Sequence, residues 1–203
     1  MLAAMGNRED LLAGAKRCLV EKGYGATTAR DIAAASGVSL AAIGYHFGSK
    51  DALMNQAVYD SVGDWATELQ HALIAEGAAE AAPLQRFEMI MRQTLEAFGG
   101  PGRGMWLAQL EVASMSQRTE ELRAFVAGIM EEAGSGLAEL FLGIDPAKEP
   151  DAARAAGAIL HPFFMGLIAK FFLDPEHVPS AREFADGMRI VAQRMLAPGP
   201  DAS

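Results

Sequence analysis

The segment Tyr45-His46-Phe47-Gly48-Ser49-Lys50 brings a phenol, an imidazole and an ammonium together on a short piece of chain. These groups donate hydrogen bonds or positive charge to phosphate oxygens. Thr28 and Arg30 add a hydroxyl and a guanidinium shortly before. Other chemistries find little support. His46, His71, His161 and His177 are scattered, without the spacing of metal ligands. No Gly-rich phosphate loop, nucleophile elbow or zincin motif occurs. Cys18 is the single cysteine, so it has no partner for an intramolecular disulfide or a redox couple. Binding is therefore expected rather than catalysis, with no catalytic residue, metal or cofactor.

These groups need short helices to hold them. Thr28 followed by Asp31 reads as a capping box that opens a helix. Gly37 closes it, because glycine enters a left-handed turn without steric cost. Ser39 is expected to cap a second short helix and Ser49 a third. Two short helices joined by a Gly-containing turn form a helix-turn-helix, whose second helix fits the DNA major groove.

From about Asn7 to Leu53 the sequence resembles the TetR family of bacterial transcriptional repressors. Leu12 to Tyr24, with the stop at Gly23, matches the family's first helix, and Tyr45-His46-Phe47 with the following Ser49-Lys50 matches its DNA-proximal tail. The resemblance implies that Tyr45, His46 and Lys50 lie at phosphates and that Phe47 packs inward to anchor the recognition helix. Gly44 departs from the pattern, standing where the family usually carries Tyr, Asn or Ser. It either shortens the contact list or lets the backbone come closer to DNA.

Base reading looks sparse. Leu40, Ala41 and Ala42 are expected on the exposed front of the recognition helix, able to touch thymine methyls but not to form bidentate hydrogen bonds. Arg30 is the candidate for a guanine contact, with a phosphate contact or a solvated side chain as the alternative. Ser39 either contacts a base or caps its helix. Thr28 and Ser49 mark helix starts whose backbone N–H groups favour anions, and the Thr28 hydroxyl is a candidate for capping and phosphate contact together.

The net charge of −9 suits a DNA binder only when divided along the chain. Residues 1–50 carry six Lys or Arg against four Asp or Glu; residues 51–203 carry eleven against twenty-two. A mildly basic end joined to an acidic body implies low, salt-dependent non-specific DNA affinity. With 203 residues the chain can bury a sizeable core. No unbroken apolar run approaches a membrane span and the first residues lack a signal pattern, so a soluble cytoplasmic protein is expected.

Apolar residues recur at three- and four-residue steps from residue 8 onward, which predicts an all-α fold of about nine helices. The expected spans are Arg8–Lys22 with Asn7 as cap, Ala29–Ser36, Leu40–Phe47, Lys50–Ala75, Leu84–Phe98, Met105–Ser116, Glu120–Leu142, Ala152–Leu173 and Ser180–Leu196. Gly99–Gly104 reads as a loop. Residues 1–52 are taken as the helix-turn-helix domain and 53–203 as the ligand-binding and dimerisation domain.

The resemblance implies a double-stranded DNA operator, a small-molecule effector held among helices four to eight, and a homodimer through the last two helices. Candidate pocket residues are Trp65, Met89, Trp106, Gln109, Phe125, His161 and Phe164, with Met105, Met115 and Met130 nearby; ordinary core packing is the alternative for each. Helix eight is apolar nearly all round and must be covered on more than one side. Phe163, Leu167 and Phe171, with Phe184, Met188 and Val191 of helix nine, are the candidate dimer residues. The rival reading is a small-molecule-binding helical protein with lost or weak DNA binding.

Overall fold

The computed structural model describes residues 2–78, 80–115 and 120–197, and the side chains at 2–5, 121, 122 and 125 lie outside that description. Among the described residues there are nine α-helices, one 3-10 turn and no strand. In chain order they are α1 (Leu2–Lys22), α2 (Ala29–Ser36), α3 (Leu40–Phe47), α4 (Lys50–Ala75), α5 (Pro83–Gly99), α6 (Arg103–Met115), α7 (Glu120–Leu142), α8 (Pro150–Leu173) and α9 (Ala181–Met195). The 3-10 turn Pro175–His177 lies between α8 and α9.

Local chemistry sets most boundaries. Pro83 and Pro150 occupy first-turn positions, where the missing N–H has no intrahelical partner to lose, so α5 and α8 start earlier than expected. Ser180 and Glu183 form a reciprocal capping box ahead of α9. Two expectations are corrected. Asn7 is not a cap, because α1 begins at Leu2. The Leu-Ala-Ala-Met stretch favours helix, and Gly6 costs only about 1 kcal/mol within it. The Gly99–Gly104 segment is not all loop either: Gly99 ends α5, while Arg103 and Gly104 belong to the first turn of α6.

The first four helices build a head on Leu11, Ala15, Leu19, Ile32, Ile43, Leu53, Met54, Ala57 and Val58, all buried. The expected boundary at residue 52 falls in the first turn of α4, which runs unbroken into the body. Head and body thus share one helix, and the buried residues form one continuous cluster. The body centres on packed aromatics, with Phe98 4.8 Å and Trp65 4.7 Å from Trp106 between ring centroids. On α8, Ala153, Gly157, Leu160, Phe164, Leu167 and Ile168 face inward. By length and composition alone this helix could cross a membrane, although Arg154, His161 and Lys170 interrupt its apolar run. The helix continues through Pro162, which cannot donate a hydrogen bond to the preceding turn.

Candidate nucleic-acid interface and internal cavity

The helix-turn-helix is closed by its caps. Thr28 accepts from the Asp31 amide at 3.2 Å, and its own amide and hydroxyl donate to the Asp31 carboxylate. Lys22 also bonds that carboxylate; with the Thr28 bonds this holds Asp31 well below the usual carboxylate range. The Thr28 hydroxyl is therefore engaged inside the cap, although the residue is exposed. Gly37 closes α2 at φ 71°, where a side chain would be strained. Ser39 stands at the start of α3, but its side chain makes no capping bond; the Ala42 amide is bonded to the Ser39 carbonyl instead. The Ser39 hydroxyl is left on the exposed side of the turn.

On α3 the inward residue is Ile43, and Ala42 is half-buried against the core rather than on the front. Leu40, Ala41 and Gly44 are exposed. Leu40 is 48% exposed and Tyr45 82% exposed. The Tyr45 ring meets His46 edge-on at 4.8 Å. Phe47 packs against the core with the Arg8 guanidinium 5.0 Å above its ring. Lys50 is tied down: its ammonium bonds the Thr27 carbonyl at 3.3 Å, pairs with Asp51 at 3.0 Å and lies over Tyr24. Arg30 is exposed and has no ion pair among the described residues.

The head meets the body in three further places besides the length of α4. The Tyr24 hydroxyl donates to the buried Asn55 side chain at 2.7 Å. Lys16 of α1 pairs with Asp64 at 2.7 Å. At Gly104 of α6, an added Cβ would stand 2.8 Å from the Leu19 carbonyl oxygen, so α6 abuts the end of α1. The head is therefore attached through α4 and α6 together.

A cavity of about 930 Å³ opens between α4, α7 and α8. Trp65, Gln109, His161 and Phe164 line it. Met89 does not; it packs against the core of the body. Trp106 is fully buried and borders a smaller hollow, of about 630 Å³, beside Lys16. Phe125 falls outside the described side chains. The sequence reading missed most of the polar lining: Tyr59, Asp60 and Asp64 of α4, Arg86 of α5, Glu132 and Glu139 of α7, and Asp145. The spacing of Asp60 and Asp64 on one face of α4 was the available signal. Burial pushes the His161 imidazole below its ordinary value and the Tyr59 phenol up to about 12, so both are neutral at pH 7. Gln109 Nε2 and Arg86 Nε are buried without a hydrogen-bond partner among the described residues.

The family model for bacterial regulatory proteins of the tetR family matches residues 11–57, which spans α1 to the first turns of α4. Over residues 11–57 the chain is similar to the TetR family. The HTH-type transcriptional repressor AcnR of Corynebacterium efficiens is 31% identical over 121 residues, covering 59% of this chain and 56% of its own. The matched stretch thus spans just over half the length of that relative. The HTH-type transcriptional regulator BetI of Rhizobium meliloti is 28% identical over 156 residues, covering 75% of this chain and 73% of its own. Among solved structures, the multidrug binding protein EbrR complexed with imidazole superposes with a TM-score of 0.55 at 25% identity, covering 97% of this chain and 98% of that one. A solved protein of Pseudomonas aeruginosa PAO1 shares the fold, with a TM-score of 0.53 at 20% identity over 94% of this chain and 93% of its own.

The expected dimer residues are not one surface. Leu167 is 3% exposed and belongs to the protomer's own core, so it is withdrawn from the face. Its place on α8 follows from the turn it shares with Phe164 and Ile168, which face the body. Phe171 packs on Phe98 at 5.4 Å and is half-buried, while Phe163 meets Phe184 of α9 edge-on at 6.0 Å. Met188 is half-buried and Val191 exposed. The outward apolar positions include Ile159, 74% exposed, with Pro162 and Gly166 on α8 and Ile190, Val191 and Met195 on α9.

Proposed function

We propose that the chain is a transcriptional repressor that binds a palindromic operator as a homodimer and releases it when a small, largely apolar molecule fills the cavity. The observation that carries this reading is a helix-turn-helix whose outer face, Leu40, Ala41, Tyr45 and Arg30, is uncovered, on a head tied by α4 and α6 to a body with a cavity of about 930 Å³. Residues 1–52 serve as the DNA-binding part and 53–203 as the effector and dimer part, with α4 common to both. The first turn of α2, at Thr28, and that of α4, at Ser49, offer backbone N–H groups to phosphates. Tyr45, His46 and Lys50 add phosphate contacts. Leu40 and Ala41 meet thymine methyls, while Arg30 and Ser39 reach base edges.

Pairing Ile159, Pro162 and Gly166 of α8 and Ile190 and Val191 of α9 with a second copy buries this apolar surface. It also sets two recognition helices to successive major grooves, about 34–36 Å apart. The reading assigns binding rather than catalysis to these residues, in a soluble cytoplasmic protein. AcnR, a named repressor, and EbrR, a named multidrug binding protein, support the two halves of it. A gel shift with the DNA upstream of its own gene tests it. A saturable shift that outlasts excess random duplex is expected. Binding no better than to random duplex would favour the small-molecule-binding alternative, to which the scarcity of hydrogen-bonding side chains on the front of α3 lends some weight.

A further inference from the structure

The cavity and the DNA-binding head share a pair of carboxylates. Asp60 and Asp64 stand one helical turn apart on α4 and both line the cavity. The ammonium of Lys16, from α1 of the head, lies 2.7 Å from Asp64 Oδ2 and 3.9 Å from Asp60 Oδ2. Gln56 donates to the other Asp60 oxygen at 3.0 Å. Next to Asp64, Trp65 lines the same wall, 6.0 Å from the Phe164 ring. The chain already places a cation at these carboxylates, and that cation belongs to the head.

Most of the remaining lining charges are also acidic. Glu132 and Glu139 have no ion pair among the described residues, and Asp145 is paired with Lys148 at 2.7 Å. Arg86 is the lining cation opposing them, beside Gly143 at the end of α7. His161 is neutral at pH 7 and does not add to it. A concave site lined mainly by one sign of charge concentrates ligands of the other sign, and aromatic faces add attraction for organic cations.

Resting on the regulator reading above, we propose that the effector is an organic cation with an apolar body, and that its charge competes with Lys16 for Asp60 and Asp64. While Lys16 holds both carboxylates, α1 is tied to α4. When the ligand's cation takes them, Lys16 returns to water and the head loses that tie. Coupling of this kind is reciprocal: whatever the bound cation takes from the Lys16 pair, removing Lys16 must return to cation binding. An ion pair this exposed sets the size of the effect at about two- to fivefold.

The test uses two probes of one shape and opposite charge, tetraphenylphosphonium and tetraphenylborate, titrated calorimetrically into the full chain without DNA. The phosphonium is expected to bind and the borate to bind more weakly. Lys16→Met is expected to tighten the phosphonium by about two- to fivefold, and Asp60→Asn with Asp64→Asn to reduce the preference between probes. Equal binding of the two probes, preference for the borate, or a phosphonium affinity unmoved by Lys16→Met would overturn the proposal. If the double variant does not fold, the Lys16→Met titration and the probe pair decide alone. Because these titrations contain no DNA, a cation-selective cavity in a protein that leaves its upstream DNA unshifted would support this site and sink the regulator reading. A specific DNA shift with a charge-blind cavity would do the reverse.

Discussion

Gly44 occupies the outer side of α3, and a Cβ added there meets nothing within 4 Å. A glycine within a helix costs about 0.5–1 kcal/mol relative to alanine, so nothing inside the protomer requires it. In the proposed complex a bare backbone here gives α3 a closer seat in the groove. Gly44→Ala is therefore expected to raise stability by about that amount while weakening operator binding, read from melting curves and fluorescence anisotropy on the same protein. A stabilised variant with undiminished DNA affinity would remove Gly44 from the interface. Arg30 and Lys50 separate by salt. Lys50→Ala should weaken operator and random DNA alike and lower the salt slope by about one; Arg30→Ala should cost roughly 1–3 kcal/mol at one base pair per half-site. Uniform loss for Arg30→Ala would make it a phosphate contact. His161 offers a pH signature. Its folded pKa is lowered by burial, so the unfolded chain takes up the proton first on acidification. Stability is full above about pH 6.5 and falls as pH drops from there toward the folded value. Denaturant midpoints above and below that pH should show the slope in the wild type and lose it in His161→Gln. Residues bonded to near neighbours, such as Thr28 with Asp31, could be read from sequence. Ser39 could not, because the choice between its hydroxyl and its carbonyl for the Ala42 amide depends on backbone angles no residue type fixes.

Helices α7 and α8 cross where two glycines meet. A Cβ on Gly157 would stand 2.6 Å from the Gly134 carbonyl carbon, and one on Gly134 would stand 3.1 Å from the Gly157 oxygen. Gly157→Ala must push the helices apart and is expected to destabilise by about 1–3 kcal/mol in urea unfolding. Full stability in that variant would show that the crossing has slack. Thr94 makes the opposite case: its hydroxyl is buried without a partner among the described residues, so Thr94→Val should be neutral or stabilising. Helix positions were legible from apolar periodicity and caps, since both are local. The start of α6 was decided at a distance. Gly104 looked like loop until the Leu19 carbonyl 2.8 Å from its missing Cβ supplied a reason for glycine inside α6. Leu167 fitted an outward stripe by spacing, yet α8 is apolar on most sides, and only packing tells which of those sides meets the protomer's own core.

The molecule is a small basic head on an acidic body, and the two are joined through α4, the Gly104 approach and the Lys16 ion pair. The division of charge was plain in the sequence. The polar lining of the cavity was not, because Asp60, Glu132 and Asp145 come from three separate elements that only the tertiary fold brings round one space. The proposed dimer has its own check. Ile159→Glu places a charge on an exposed position, so it should leave helical content intact while converting the dimer to monomer by light scattering. A wild type that is already monomeric would contradict the face. The most direct measurement is a nuclease footprint on the DNA upstream of its gene. Two protected half-sites related by two-fold symmetry, with centres about one helical turn apart, are expected, and their protection should fade as the cavity is filled by ligand. Protection that is absent, or that spreads evenly over any duplex, would contradict a sequence-specific dimeric repressor.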